Sequence, residues 1–213
     1  LAKLTPSDGA AEDLFGLGLA ADGDLLAVGA PFADIAGDGS RVVYLFTLST
    51  LEQVGTLLAS DTTAGDRFGR SIAIDGNLIV VGANRADAQG DVSGAAYIFD
   101  RVTRQQLATL LPSDGEAGDV FGNAVAVSGN RVLVGAEGDD DAGDFAGAAY
   151  LFAVDIDPCP ADTNGDGLVT PADLNAWVLA FNAQAPECDQ NGDGLCTPAD
   201  FNAWVLNFNA GCP

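Results

Sequence analysis

The 213-residue chain has no histidine and no methionine, and it sets only 8 basic side chains against 31 acidic ones. Without histidine the commonest general base is gone, and with it the Ser–His–Asp arrangement and histidine-ligated zinc. Without methionine there is no initiator, and a sequence that begins at Leu1 is expected to be a processed product or a fragment. No run of 18 apolar residues occurs, so no membrane insertion by a helix is expected. No Asn-x-Ser/Thr triplet occurs, which excludes N-linked sugar of the usual type but not O-linked sugar. The formal charge of −23 disfavours nucleic acid and anionic lipid as partners and makes cations the natural counter-charge. Against these absences stands a hydrophobic fraction of 48%, enough to build a core in one or two domains.

What is present is periodic. Phe15-Gly16, Phe68-Gly69 and Phe121-Gly122 are spaced by 53 residues, as are Gly29-Ala30, Gly82-Ala83 and Gly135-Ala136. Tyr44, Tyr97 and Tyr150, all the tyrosines of the chain, keep the same step. Each period is expected to hold four short strands, which in the second copy read 54–59, 70–75, 78–83 and 95–100. Asp75-Gly76-Asn77 and Ser128-Gly129-Asn130 supply the positive φ of a tight hairpin between the middle pair. Four antiparallel strands per period is the pattern of a propeller blade.

The copies also share acid. Asp8, Asp61 and Asp114 align, as do Asp13, Asp66 and Asp119, and further along Asp34/Asp38, Asp87/Asp91 and Asp140/Asp144. Such positions read first as turns whose carboxylates accept backbone hydrogen bonds. The sharper alternative is a cation or partner surface on one rim.

Phe-Gly followed by Gly29-Ala30-Pro31 resembles the FG-GAP repeat of integrin-type β-propellers over residues 1 to about 155. The third element of Gly-Ala-Pro becomes Asn84 and Glu137 in the later copies, and no copy carries the Asp-x-Asp-x-Asp-Gly loop by which that family often binds calcium. The resemblance implies a mainly β body of three four-stranded blades. Three blades do not close a ring, since propellers typically have 4–8. Further blades before Leu1, a ring shared by several chains, or blades stacking from chain to chain would each complete it.

Near residue 155 the composition changes. Every basic residue lies at or before Arg131, and every cysteine at or after Cys159. Residues 156–213 show a second period, of 27: Asp162 to Asp189, Trp177 to Trp204, Phe181 to Phe208. Two domains are therefore expected, 1–155 and 156–213. In the second, Asp162, Asn164, Asp166, Leu168, Thr170 and Asp173 stand at positions 1, 3, 5, 7, 9 and 12 of an EF-hand-type loop, and Asp189, Asn191, Asp193, Leu195, Thr197 and Asp200 repeat them. A hard divalent cation needs several converging oxygens, and Gly167 and Gly194 permit the turn that gathers them. Two calcium ions are the expected cofactors. After each loop, Thr-Pro-Ala-Asp forms a helix start, followed by Leu174, Trp177, Val178 and Phe181 or by Phe201, Trp204, Val205 and Phe208 at helical spacing. Those stripes are expected to pack as core between two helices, with part of the face available to a partner. Aspartate at position 12, the duplication and the helix after each loop resemble the dockerin family. That resemblance implies docking to a cohesin-like domain.

Four cysteines beside calcium loops, with no Cys-x-x-Cys pair, point to disulfides and an extracellular or cell-surface setting. Three pairings are open. The 27-residue pseudo-symmetry brings Cys159 near Cys212 and leaves Cys188 with Cys196. The expected function is that of a non-enzymatic structural or adhesive protein, docked through its C-terminal module to a cohesin-like partner or to neighbouring copies as a homo-oligomer or surface filament. The alternative is the anchoring end of a larger secreted enzyme or of a complete adhesive propeller.

Overall fold

The computed structural model describes residues 2–33, 41–63, 65–154, 163, 170–185, 188 and 195–210. The chain divides into two compact units, Leu1–Val154 and Asp155–Pro213.

The first unit is built of antiparallel sheets in chain order. β1 (Leu19–Asp22), β2 (Leu25–Ala30), β3 (Val42–Thr47) and β4 (Gln53–Leu57) form one, and β5 (Phe68–Asp75), β6 (Leu78–Ala83), β7 (Ala95–Asp100) and β8 (Gln106–Leu110) form the next. The third has only β9 (Phe121–Ser128), β10 (Arg131–Ala136) and β11 (Ala148–Ala153) among the described residues. Expected four-stranded blades thus occur twice, and the third blade has three strands among the described residues.

The phase also differs from expectation. Residues 54–59 do not open the second blade; β4 closes the first, pairing Tyr44 with Thr56 and Leu45 with Gly55. The cause is local. The short connection after β3 is closed by Thr47 N–H to Glu52 C=O at 3.0 Å, making β3–β4 a hairpin. The next repeat does the same from Asp100 N–H to Gln105 C=O at 2.9 Å.

Two kinds of contact make each blade. Phe15, Phe68 and Phe121 lie edge-on against the tyrosine of their own blade, each with ring centroids 5.6 Å apart. Between blades the backbones themselves meet. A Cβ on Gly29 would collide with the carbonyl of Gly69, and one on Gly82 with that of Gly122. Gly69 and Gly122 have φ of +87° and +85°, which L side chains rarely adopt. The two recurrent glycines of the repeat are therefore one contact seen from its two sides. Around it Ala27, Val43 and Leu45 of the first sheet share an apolar cluster with Phe68, Ile72 and Val81 of the second.

The second unit holds α1 (Pro171–Ala183) and α2 (Pro198–Ala210). Trp177, Cys188 and Trp204 form its buried centre, with Leu174, Phe181, Val205 and Phe208 packed around them. Val178 and Phe201, expected in the interior, are each 42% exposed, so the apolar stripe of each helix is narrower than its spacing implied.

Candidate functional site

Both helices of the second unit start in the same way. Thr170 caps α1: its Oγ1 accepts from Ala172 N–H at 3.2 Å, while Asp173 Oδ2 accepts from Thr170 N–H at 2.7 Å. At α2, Thr197 Oγ1 accepts from Ala199 N–H at 3.2 Å and Asp200 Oδ2 accepts from Thr197 N–H at 2.7 Å. These are reciprocal caps, and the Thr-Pro-Ala-Asp sequence makes them: a capping hydroxyl, a proline where no donor is needed, and an acid at the third helical position.

Asp173 and Asp200 are both 0% exposed. Each also accepts from the hydroxyl of its cap, Thr170 Oγ1–H at 3.3 Å and Thr197 Oγ1–H at 3.1 Å. Residues 156–213 contain eight acids and no basic residue. By residue type alone, the oxygen-bearing side chains at the loop positions are of the kind a hard divalent cation takes. Of the expected ligands, Thr170, Asp173, Leu195, Thr197 and Asp200 are described. Asp162, Asn164, Asp166, Leu168, Asp189, Asn191 and Asp193 lie outside the described residues.

The two indoles act on the flanks of the loops. Trp177 Nε1–H donates to Cys188 C=O at 3.2 Å, just before the second loop. Trp204 Nε1–H donates to Thr163 Oγ1 at 3.2 Å, just inside the first. Each helix therefore fixes the chain near position 1 of a loop, a function of the tryptophans that their helical spacing alone did not reveal. Cys188 and Cys196 form a disulfide with Cα atoms 5.6 Å apart, tying the residue before the second loop to its eighth position. Cys159 and Cys212 lie outside the described residues.

The acidic positions of the blades behave differently. Asp13, Asp66 and Asp119 are buried and accept from the backbone N–H groups of Ala10, Thr63 and Glu116 at 2.6, 2.6 and 2.7 Å. They hold turns. Asp8 accepts from Tyr44 Oη–H at 2.9 Å, and Asp139 from Tyr150 Oη–H at 2.7 Å. Burial first, then the neighbouring carboxylates, pushes the phenols of Tyr44, Tyr97 and Tyr150 well above their ordinary pKa. Asp87 accepts from Val92 N–H at 2.8 Å, while Asp34 and Asp38 lie outside the described residues. Among the described residues no group of three or more acids or cysteines is arranged to hold a metal ion. Nor is any helix long and apolar enough to cross a membrane.

A family model described as the FG-GAP repeat matches residues 1–46, 51–99 and 105–152. The comparison with curated proteins found no match. Among solved structures, one titled "Crystal Structure of Mitotic Checkpoint Complex" is similar at a TM-score of 0.43 and 16% identity, over 73% of this chain. The matching region spans 41% of that chain's length.

Proposed function

The chain belongs to the FG-GAP repeat family, and from that premise we propose that it is a non-enzymatic extracellular protein whose blades form a structural or adhesive body and whose C-terminal unit docks it to a protein partner in a calcium-dependent way. The observation that carries this reading is the duplicated twelve-residue pattern of oxygen-bearing residues, 162–173 and 189–200, each copy of which ends in an aspartate that caps the following helix. Two calcium ions would be held by Asp162, Asn164, Asp166, Leu168, Thr170 and Asp173, and by Asp189, Asn191, Asp193, Leu195, Thr197 and Asp200. The ion supplies the charge that lets these oxygens converge. The chain's own residues orient them: the threonine caps fix position 12, and the tryptophan indoles fix the flank of position 1.

The dockerin-like order of loop and helix supports a cohesin-like domain as partner, with Val178, Leu179, Phe201 and Leu206 exposed on the helices for contact. The disulfide between Cys188 and Cys196 supports an oxidising, extracytoplasmic setting. Calorimetric titration of the metal-stripped protein with calcium is expected to give saturable binding of two ions, abolished in a variant carrying both Asp173→Ala and Asp200→Ala. Absence of binding to the unmodified protein overturns the reading.

A further inference from the structure

The contact between successive blades is made twice within the chain, and each half of it is present once more without a partner. On the third blade, Gly135 stands where Gly29 and Gly82 stand in the others. A Cβ placed on Gly135 meets nothing nearer than Ala124, at 3.7 Å, whereas Gly29 and Gly82 lie against the next blade's backbone. Leu133 and Leu151 are 44% and 60% exposed, while Val80 and Ile98, their equivalents on the second blade, are 0% exposed. A groove of about 490 Å³ opens there, lined by Ala124, Gly135, Ala136, Gly147 and Ala149 among others.

On the first blade the converse is seen. Gly16, equivalent to Gly69 and Gly122, has nothing within 4 Å of its Cβ position. Leu19 is 61% exposed, while Ile72 at the same place in the second blade is 8% exposed, in one cluster with Ala27, Val43 and Leu45. Shifted by two periods, Ala27, Val43 and Leu45 are Leu133, Ala149 and Leu151.

The strand count agrees. In the first two sheets the fourth strand, β4 or β8, comes from the stretch that leads into the next Phe-Gly. The third sheet has no such strand among the described residues, and β11 is its edge. Residues 2–4 are the equivalents of 55–57 and 108–110, and the stretch they begin is held to the first blade as the stretch 55–60 is held to the second. Ser7 N–H reaches Gln53 Oε1 at 3.3 Å, as Ser60 N–H reaches Gln106 Oε1 at 3.0 Å. Leu4 packs on the cluster of Val28, Tyr44 and Phe46.

We propose that the two exposed faces are halves of one interface, and that the partner of each is a second copy of this chain. Residues 2–4 of one copy then complete the β9–β11 sheet of the next. The internal pairs Val43–Leu57, Tyr44–Thr56 and Leu45–Gly55 set the register, giving Ala149 opposite Leu4, Tyr150 opposite Lys3, and Leu151 opposite Ala2. Gly16 of the first copy seats on Gly135 of the second, and Leu19 on Leu133 and Leu151. A second strap continues it. Between the second and third blades, Val120 N–H and Phe121 N–H donate to Val92 and Ser93 carbonyls at 3.2 and 2.9 Å. Their counterparts across copies are the N–H groups of Leu14 and Phe15 and the carbonyls of Phe145 and Ala146. Phe145, in the place of Val92, is 83% exposed. The contact joins unlike faces, so it propagates into rings or filaments. It rests on the reading of the body as a structural repeat array and uses no part of the calcium module.

Sedimentation velocity and electron microscopy of the full chain, at submillimolar concentration with and without chelator, test this. The expected result is assembly beyond the 21.5 kDa monomer in both conditions. Gly135→Val, placed where the free chain has room, and Leu151→Gln are each expected to weaken association at least about tenfold with unchanged circular dichroism and melting. A chain that stays monomeric, variants that assemble as well as the parent, or assembly that disappears with chelator alone each overturn the proposal. Only the last of these outcomes, like loss of calcium binding itself, speaks to the C-terminal unit.

Discussion

The two units of this protein solve the problem of folding an acidic chain in opposite ways. In the body, sheet faces bury apolar side chains against the next sheet, and glycines let the backbones touch. Tyr44, Leu45, Ile79 and Ile98 are all 0% exposed. Among the described residues of the C-terminal unit the buried centre is Trp177, Cys188 and Trp204, together with two buried carboxylates. A chain of roughly 60 residues buries only about 60% of its unfolded surface, so such units need a staple. The disulfide is one, and calcium is the proposed other. Repetition creates stability in the body by adding faces; in the small unit it duplicates a capped helix and the proposed calcium loop before it.

The sharpest way to break this contrast is to remove the metal. Chelation is expected to abolish the helical circular dichroism of α1 and α2 and expose residues 155–213 to protease, while the sheets remain intact. If both units melt unchanged in chelator, the small unit owes its fold to packing alone and the contrast fails. Next in size is Gly82→Val, whose side chain is driven into the carbonyl of Gly122. It is expected to destabilise the body by about 3 kcal/mol or more in denaturant titration and leave calcium binding untouched. Smaller again is Asp200→Asn, which keeps the shape of the cap but removes a charge. Calcium affinity at the second loop should fall on the order of tenfold, read by calorimetry as the loss of one strong site while the other persists.

Much of this was legible in the residues, and what was not has physical causes. The 53-residue step marked the blades because each copy must present the same Phe-Gly and Gly-Ala to its neighbour. The phase of the strands was hidden, because β4 carries no side-chain signature saying whether it pairs backward with β3 or forward with β5. The shortness of the connection at residues 48–52 was the available signal. The role of Gly29 and Gly82 was equally hidden. A glycine at the end of a strand advertises freedom of φ, yet here it is the missing Cβ that matters, and only the neighbouring sheet explains that. Of the candidate ligands, Asp173 and Asp200 announced their caps through Thr-Pro-Ala-Asp, a purely local pattern. Their complete burial is a tertiary property, which no local pattern encodes.

The least of the expected effects separates the units by pH. Tyr44, Tyr97 and Tyr150 all lie in the body, and burial together with acidic neighbours raises each phenol's pKa above its ordinary value. A raised folded-state pKa means that the unfolded chain loses its phenolic protons first as the solution becomes alkaline. The stabilisation is fully present below the ordinary tyrosine value of about 10 and declines as pH climbs from there toward the folded values. The body should therefore lose stability progressively above pH ~10, and Tyr97→Phe should flatten that decline while costing a modest amount of stability at neutral pH. The small unit contains no tyrosine, so its own melting should lack this alkaline limb. Guanidinium titrations followed separately by tyrosine and tryptophan emission, both tryptophans lying at or beyond residue 177, would distinguish the two behaviours in one sample. An alkaline decline of equal slope in both signals would mean that the units unfold together rather than as the independent bodies their composition describes.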